Sequence, residues 1–345
     1  MYDDSPRPIN DENEPDTRIC CCHSDSPWYS KFWPVIFLFS ILTDYPMPLP
    51  KGKKPGQHRD WGLLPIVMVC GLASFVYYGY TSRIVFVLLW DLNHRSQAIV
   101  YLAIFTFFFT LFLVSYARIV SQKPGHPNAT QMKPFSILGE SKWCDVCQLW
   151  KPDRTHHCRV CGACVLKMDH HCPWVNGCVG ISNYRFYVQF LCYVTLLGTW
   201  IFTTSLVAFI QFNGLSTFDG MALSILIIGG IITFILGAFT MSHLWLILKN
   251  QTTIENSQFQ KWKREKLSGN TRLIPMFTES GKNVFDRGYR QNWLEVMGSN
   301  RLLWFLPLMS KQGTDGVHFG HNSQTLKEYQ DEDGSRRIKA QMSAK

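Results

Sequence analysis

Apolar residues in this chain are bunched into long runs. Three of them, Ser96 to Ala117, Phe186 to Ile210 and Met221 to Leu248, carry no formal charge. Each is long enough to cross about 30 Å of hydrocarbon as a helix. A fourth run extends from Trp61 to Ser82, and sliding it towards Trp90 would put Arg83 and Asp91 near its end. Four membrane-spanning helices are therefore predicted. A shorter patch, Phe32 to Thr43, is followed by Pro46, Pro48 and Pro50 and reads as an interfacial or re-entrant piece. It lacks the basic leader and small-residue cleavage site of a signal peptide. On the third span Phe186, Tyr187, Phe190 and Leu197 recur at helical spacing, with Ser182 or Asn183 as a candidate cap. Such a stripe suits a cavity wall, and it suits ordinary helix packing or lipid contact equally well.

Composition agrees with a membrane protein. Of 345 residues 46% are hydrophobic and 17% charged, a low charged share for a soluble domain. Residues 1 to about 30 are acidic, contain proline and are expected to be disordered. Within them Cys20, Cys21 and Cys22 precede the short apolar patch as candidate acylation sites, or as a chance cluster.

The net charge is +9, and its placement sets the topology. Lys51, Lys53, Lys54 and Arg59 precede the first span; Lys249, Lys261, Lys263, Arg264 and Lys266 follow the last. The loop from Gln211 to Gly220 has no lysine or arginine, whereas Arg83 and Arg95 run mildly against the trend. Positive charge favours the cytosolic side, so both termini and the loop between the second and third spans are expected there. The sequons at Asn128 and Asn250 would then remain unmodified. Four lipid-spanning segments also make nucleic acid an unsuitable partner for the basic charge.

The loop between spans two and three carries the chemistry. From Cys144 to Cys178 it reads C-x2-C-x9-H-C-x2-C-x2-C-x4-D-H-H-C-x5-C. A cytosolic loop is kept reduced, so dense cysteines there read as metal ligands or reactive thiols rather than disulfides. Two thiolates three residues apart can grip one tetrahedral zinc ion. The most economical sorting builds two sites of three cysteines and one histidine. Cys144, Cys147, His157 and Cys164 form one; Cys158, Cys161, His171 and Cys178 form the other. Cys172 is left over beside Asp169 and His170, and His156 is also left over. A thiol, an imidazole and a carboxylate are the parts that nucleophilic thiol chemistry uses. The competing reading makes Cys172 or His170 an alternative zinc ligand, and spacing alone leaves it open. Internal repeats are not expected.

Asp169-His170-His171-Cys172-Pro173-Trp174, within this cysteine spacing between two spans, resembles the DHHC family of protein S-acyltransferases. Lys151-Pro152-Asp153-Arg154, His156-His157-Cys158, Lys167-Met168 and Asn176-Gly177-Cys178-Val179-Gly180 are similar to the same family. Thr252-Thr253-Ile254-Glu255 matches its TTxE motif, and Asn292-Trp293 lies in a segment similar to its carboxy-terminal aromatic motif. Within the family, the group containing the fungal vacuolar palmitoyltransferase and its animal Golgi and plasma-membrane relatives looks nearest.

The resemblance implies an all-α integral membrane protein of four transmembrane helices, with a cytosolic zinc-binding domain of short β-hairpins between helices two and three. It implies transfer of a long-chain acyl group from acyl-CoA, palmitoyl-CoA above all, to cysteines of substrate proteins through a thioester on Cys172. His170 would be the general base, Asp169 its orienting partner, and Thr253 a hydroxyl contact to Asp169. Asn292 would brace the tail against Thr252 to Glu255, and the two zinc ions would be structural. Lys151, Arg154 and His156 are candidates for the CoA phosphates, or simply a solvated basic loop; Trp174 would sit at the membrane boundary.

The expected division is 1–60, a cytosolic amino-terminal region; 61–117, the first two spans; 118–184, the zinc domain; 185–248, the last two spans; and 249–345, a cytosolic tail. Expected partners are acyl-CoA, the bilayer and membrane-associated proteins with juxtamembrane cysteines, with an endomembrane such as vacuole or Golgi as the site. Two other readings stand beside this one. A non-catalytic membrane-anchored zinc scaffold would have no use for an unliganded thiol. A transporter is disfavoured because the spans lack intramembrane acids, and His243 alone makes no pathway.

Overall fold

A computed structural model describes residues 60–128, 134–139, 141–212, 219–268, 275–308 and 314–343. The short apolar patch at 32–43, the cysteine triplet at 20–22 and the proline-containing stretch after them lie outside the described residues.

Among the described residues four helices are long and apolar enough to cross a membrane: Leu64–Asp91, Arg95–Ser121, Tyr184–Gln211 and Gly220–Leu248. The first consists of α1 (Leu64–Gly79) and a wider π-helical continuation, Tyr80–Asp91. It passes well beyond the expected end at Ser82. Arg83 does not stop it because its Nε meets Asp219 at 3.1 Å. Asp219 also accepts from Ala222 N at 2.8 Å and so caps the fourth span. We label the second to fourth spans α2 (Arg95–Ser121), α3 (Tyr184–Gln211) and α4 (Gly220–Leu248).

Helices in lipid associate through close packing and hydrogen bonds, since apolar burial alone distinguishes little between helix and lipid. The pair α3 and α4 shows both devices. A Cβ on Gly198 would come within 2.6 Å of Ile232, and one on Gly229 within 3.0 Å of the Phe202 backbone. The hydroxyls of Thr195 and Thr240 meet at 2.8 Å between the same helices. Towards one end, Tyr80, Phe105, Ile201 and Ile225 form a core, and the Tyr80 hydroxyl bonds Thr204 at 2.9 Å. At the other end a second core gathers Tyr116, Tyr187, Leu191 and Ile247 around Cys172 and Val175.

Between α2 and α3 the chain makes three two-stranded antiparallel sheets. They pair β1 (Lys142–Cys144) with β2 (Leu149–Lys151), β3 (His156–Cys158) with β4 (Ala163–Val165), and β5 (His170–Cys172) with β6 (Gly177–Val179). Such small sheets have too little core to stand alone, so another constraint must hold them. Asn183 fastens the last hairpin to the spans. Its side chain accepts from Gly180 N at 2.9 Å and donates to Cys178 O at 3.0 Å and Gln122 O at 3.2 Å. The expected cap of α3 at this position is thus a clamp between α2 and β6, and no side-chain cap bond forms.

After α4 the backbone turns at Asn250, in the left-handed region with φ 46°, and enters α5 (Thr253–Leu267). A capping box starts it: Glu255 N donates to Thr252 Oγ1 at 3.2 Å, and Thr252 N donates to Glu255 at 2.8 Å. Then come α6 (Tyr289–Met297), a 3-10 turn (Arg301–Trp304) and α7 (Ser323–Ser343).

Candidate active site and metal centres

Two ligand clusters stand out among the described residues. Cys144, Cys147, His157 and Cys164 form one and Cys158, Cys161, His171 and Cys178 the other, with the donor atoms of each within 4.8 Å of one another. The three cysteine sulfurs lie 3.6, 3.2 and 3.9 Å from His157 Nδ1 in the first, and 3.7, 3.4 and 3.7 Å from His171 Nδ1 in the second. Ligands around a tetrahedral zinc ion, at about 2.1 Å for nitrogen and 2.3 Å for sulfur, stand roughly 3.6 Å apart. Both sets therefore fit one structural zinc each, with the pairing expected from spacing. Neither includes Cys172 or His170.

A regularity that the sequence reading missed lies beneath this pairing. Both sites have the spacing C-x2-C-x9-H-x6-C, and each ligand of the second stands 14 residues after its counterpart in the first. The hairpins repeat with the same period. His157 faces Cys164 across β3 and β4, as His171 faces Cys178 across β5 and β6. Cys144, Cys158 and Cys172 are equivalent positions, each closing the first strand of its hairpin. Cys172 thus stands at the opening position of a third repeat whose remaining ligands are missing. Val175 and Arg185 stand where that repeat would need its next cysteine and its histidine.

Strand geometry then sorts the histidines. Successive side chains on a strand point to opposite faces, so His170 and Cys172 share one face of β5 while His171 turns to the metal on the other. Cys172 is 6% exposed, set in the apolar core at the ends of the spans. The next three residues form a 3-10 turn, Pro173–Val175, whose Trp174 carbonyl accepts from the Tyr116 hydroxyl of α2 at 2.8 Å. Cys172 is therefore held against transmembrane helices.

His170 Nδ1 lies 2.6 Å from Asp169 Oδ2. Asp169 is buried and accepts twice more, from Thr253 N at 2.9 Å and Thr253 Oγ1 at 2.7 Å. Its carboxylate consequently sits at the positive amino end of α5, where anions are favoured. Burial pushes the Asp169 pKa up, but the His170 bond and charge, with the Thr253 hydroxyl, hold it well below the usual carboxylate range. Burial pulls that of His170 down, yet the Asp169 bond and then the Cys172 thiol outweigh it and raise it to about 10. The imidazole is wedged between aromatic rings: Tyr187 at 5.1 Å, edge to face, and His243 at 5.9 Å. His243 is buried on α4 and bonded to the Tyr184 hydroxyl at 3.2 Å.

Other expected residues fall differently. Arg154 is not available to CoA phosphates. Its side chain is 1% exposed, with Nε and Nη2 on Glu255 at 2.7 and 2.8 Å and two further bonds to Asn250 at 2.9 Å. It also lies over the rings of Phe285 and Phe319. A long cation in a polar loop reads as solvated; here paired carboxylates draw it inside. His156, half-buried on β3, has its pKa pulled down to about 4, chiefly by burial, and so offers a phosphate no positive charge near neutral pH. Lys151 is half-buried on β2, opposite Lys142. Trp174 packs against the Cys172 core with its indole Nε1 buried and without a partner among the described residues.

Asn292 does brace the tail, but not onto Thr252 to Glu255. Its Nδ2 donates to Leu248 O at 2.8 Å, the end of α4, and to Asp286 at 2.7 Å. The connection to α5 is made elsewhere. Asn250 accepts from Arg154 and Lys167 and donates to Phe285 O and Glu295; Glu295 also takes Lys167 at 2.7 Å and Arg287 at 2.9 Å. Lys167 lies two residues before Asp169 and Glu255 two after Thr253, so this buried network grips both sides of the Asp169–Thr253 contact. Asn250 adopts the left-handed conformation, which asparagine tolerates, but nothing in the sequence marked its place in this network.

Comparison with known proteins agrees with this geometry. The DHHC palmitoyltransferase family profile matches residues 137–260. Over 319 residues the chain is 31% identical to palmitoyltransferase ZDHHC15 of Xenopus laevis, covering 81% of this chain and 87% of the relative. It is 32% identical over 297 residues to palmitoyltransferase ZDHHC20-A of Danio rerio, covering 76% and 78%. With palmitoyltransferase ZDHHC2 of Mus musculus it shares 31% over 292 residues, covering 74% and 75%.

Proposed function

The chain belongs to the DHHC palmitoyltransferase family, and from that membership we propose that Cys172, His170 and Asp169 carry out its protein S-acyl transfer. The chain is a multi-pass membrane protein whose substrates are acyl-CoA and protein thiols. The observation that carries the assignment is His170, bonded to Asp169 and on the face of β5 that also bears Cys172, outside both metal sets.

Transfer proceeds in two balanced steps. Cys172 gives its proton to His170, and its sulfur attacks the thioester carbonyl of acyl-CoA. The carbon–sulfur bond to CoA breaks, and the CoA sulfur departs with the proton from His170. In the second step a substrate cysteine gives its proton to His170 and attacks the acyl-Cys172 thioester. Cys172 leaves and recovers the proton. Asp169 holds the imidazole in one orientation and offsets its charge while the proton resides there. Zinc, held by the two Cys3His sets, supplies folding stability to hairpins that lack a core of their own.

The acyl chain lies among Tyr116, Tyr187 and Leu191, which share the apolar core with Cys172. Each buried methylene contributes about 0.8 kcal/mol, so a sixteen-carbon chain binds strongly at this level. The hairpins face the cytosol, in keeping with the lysines after α4. The second substrates are membrane-associated proteins with cysteines close to the bilayer, and the membrane is an endomembrane of vacuolar or Golgi type. A non-catalytic scaffold would leave the Asp169–His170–Thr253 arrangement without a purpose.

Purified protein incubated with labelled palmitoyl-CoA should become labelled through a hydroxylamine-sensitive bond. Cys172→Ser should abolish the label while zinc stays near two ions per chain. Persistent label, or the loss of one zinc, would show that the thiol has been assigned the wrong role.

A further inference from the structure

Arg185, Gln189 and Tyr193 stand at i, i+4 and i+8 on α3. They make a polar stripe that descends about 12 Å from the helix end nearest the hairpins. Polar groups this far into a span cost free energy unless protein satisfies them. All three donate to the backbone of one short stretch. Gln189 Nε2 donates to the carbonyls of Leu303, Trp304 and Leu306 at 3.0, 3.0 and 3.1 Å. Arg185 Nη2 reaches the Leu306 carbonyl at 3.2 Å and also that of Leu308. The Tyr193 hydroxyl donates to Phe305 O.

The stretch makes one 3-10 turn, Arg301–Trp304, and then runs on without regular structure. Its carbonyls therefore lack a complete set of internal partners. Water would satisfy them and make the donors on α3 unnecessary; hydrocarbon would not. Four of its apolar side chains face outward. Leu302 is 74% and Phe305 68% exposed, with Leu306 and Leu308 exposed beside them. The stretch is anchored at its start by Trp304, which donates to Gly298 O at 2.9 Å and packs edge to face on Trp293.

We infer that residues 302–308 lie inside the bilayer as a non-helical wedge against α3, their outward side chains among the acyl chains of the leaflet nearest the hairpins and the exposed Arg301 at headgroup level. The surface is continuous with the lipid-facing side of a span, since the groups that satisfy its backbone belong to that span. Part of the segment beyond α4, expected as a cytosolic tail, is therefore a membrane contact. Seven residues are too few to cross hydrocarbon, so hydropathy alone does not find it.

The test reconstitutes the full-length protein in phosphatidylcholine vesicles containing a phosphatidylcholine with a mid-chain diazirine, irradiates them and maps the adducts by mass spectrometry. Adducts are expected on Leu302 and Phe305, as on the exposed span positions Phe107 and Phe234, and not on α7. Labelled spans with a bare 302–308 stretch would overturn the inference. So would chain-to-chain cross-links from a photoreactive amino acid in place of Leu302, which would make a second copy the occupant. In Phe305→Asp, a carboxylate at this depth should lower lipid labelling of the stretch by roughly tenfold or more while α2 is labelled as before. Undiminished labelling would likewise refute insertion.

Discussion

Thr253 illustrates how few atoms set the chemistry. Its amide and hydroxyl both bond Asp169, so the orientation of His170 depends on a residue 84 positions beyond Asp169 in sequence. Thr253→Ala removes one of the two bonds and loosens the carboxylate. Single-turnover autoacylation should slow by about tenfold, with zinc content and the concentration dependence on palmitoyl-CoA unchanged, and Thr253→Ser should restore the rate. A parallel loss of zinc would instead indicate a general structural role. At this scale the Cys, His and Asp set was legible, because density and spacing of metal-binding residues are written locally. Arg154 and Asn250 were not. An arginine in a polar loop looks solvated until its carboxylates, Glu255 and Glu295, are brought in from beyond α4. Tyr116 was hidden in an apolar run, and Tyr187 and His243 were visible only as a stripe member and a lone histidine, since no single run reveals its facing partners.

The hairpins are equivalent in spacing and unequal in consequence. The second site includes His171, between His170 and Cys172, and Cys178 directly across the ladder from it. The first is anchored further away, through Cys144 and Cys147. Each metal-site loss should remove about one zinc, because site formation and local folding are coupled. Cys158→Ser should nevertheless depress autoacylation far more than Cys144→Ser, read as label incorporated per chain under identical palmitoyl-CoA. Equal losses would mean that the three hairpins fold as one unit. The 14-residue period was available in the sequence all along. It escaped notice because ligands of the two sites interleave, so neighbouring cysteines belong to different ions. The length of the first span was misjudged for a different reason: Arg83 looked like a terminus until Asp219, on another helix, was placed beside it.

Across the whole molecule, the zinc hairpins, the spans and the tail meet in one buried charge network. Glu295 on α6 joins Lys167 from the hairpins to Arg287 and Asn250. Burial acts to raise its pKa, but Lys167 and then Arg154 prevail and lower it to about 2. A carboxylate held below its unfolded value contributes stability that is complete above the unfolded pKa and is lost as pH falls towards the folded one. Glu295→Gln should therefore destabilise the protein by roughly 3 kcal/mol near neutral pH. The gap from the parent protein should narrow as pH falls from about 4.5 towards 2, followed by thermal unfolding in lipid nanodiscs. A gap independent of pH would mean that Glu295 contributes through packing alone. The four spans were evident from hydropathy, whereas this junction was not, because its members come from three separated stretches of chain.

The two-residue alternation along β5 has a last consequence. Metal capture and thiol presentation sit on opposite sides of the same three residues, so slipping the strand by one position would exchange them. A misregistered chain would offer zinc His170 and Cys172 in place of His171 and turn the Cys172 sulfur away from the apolar core. Coordination of the second ion by His171 therefore goes with the register in which Cys172 meets the apolar core.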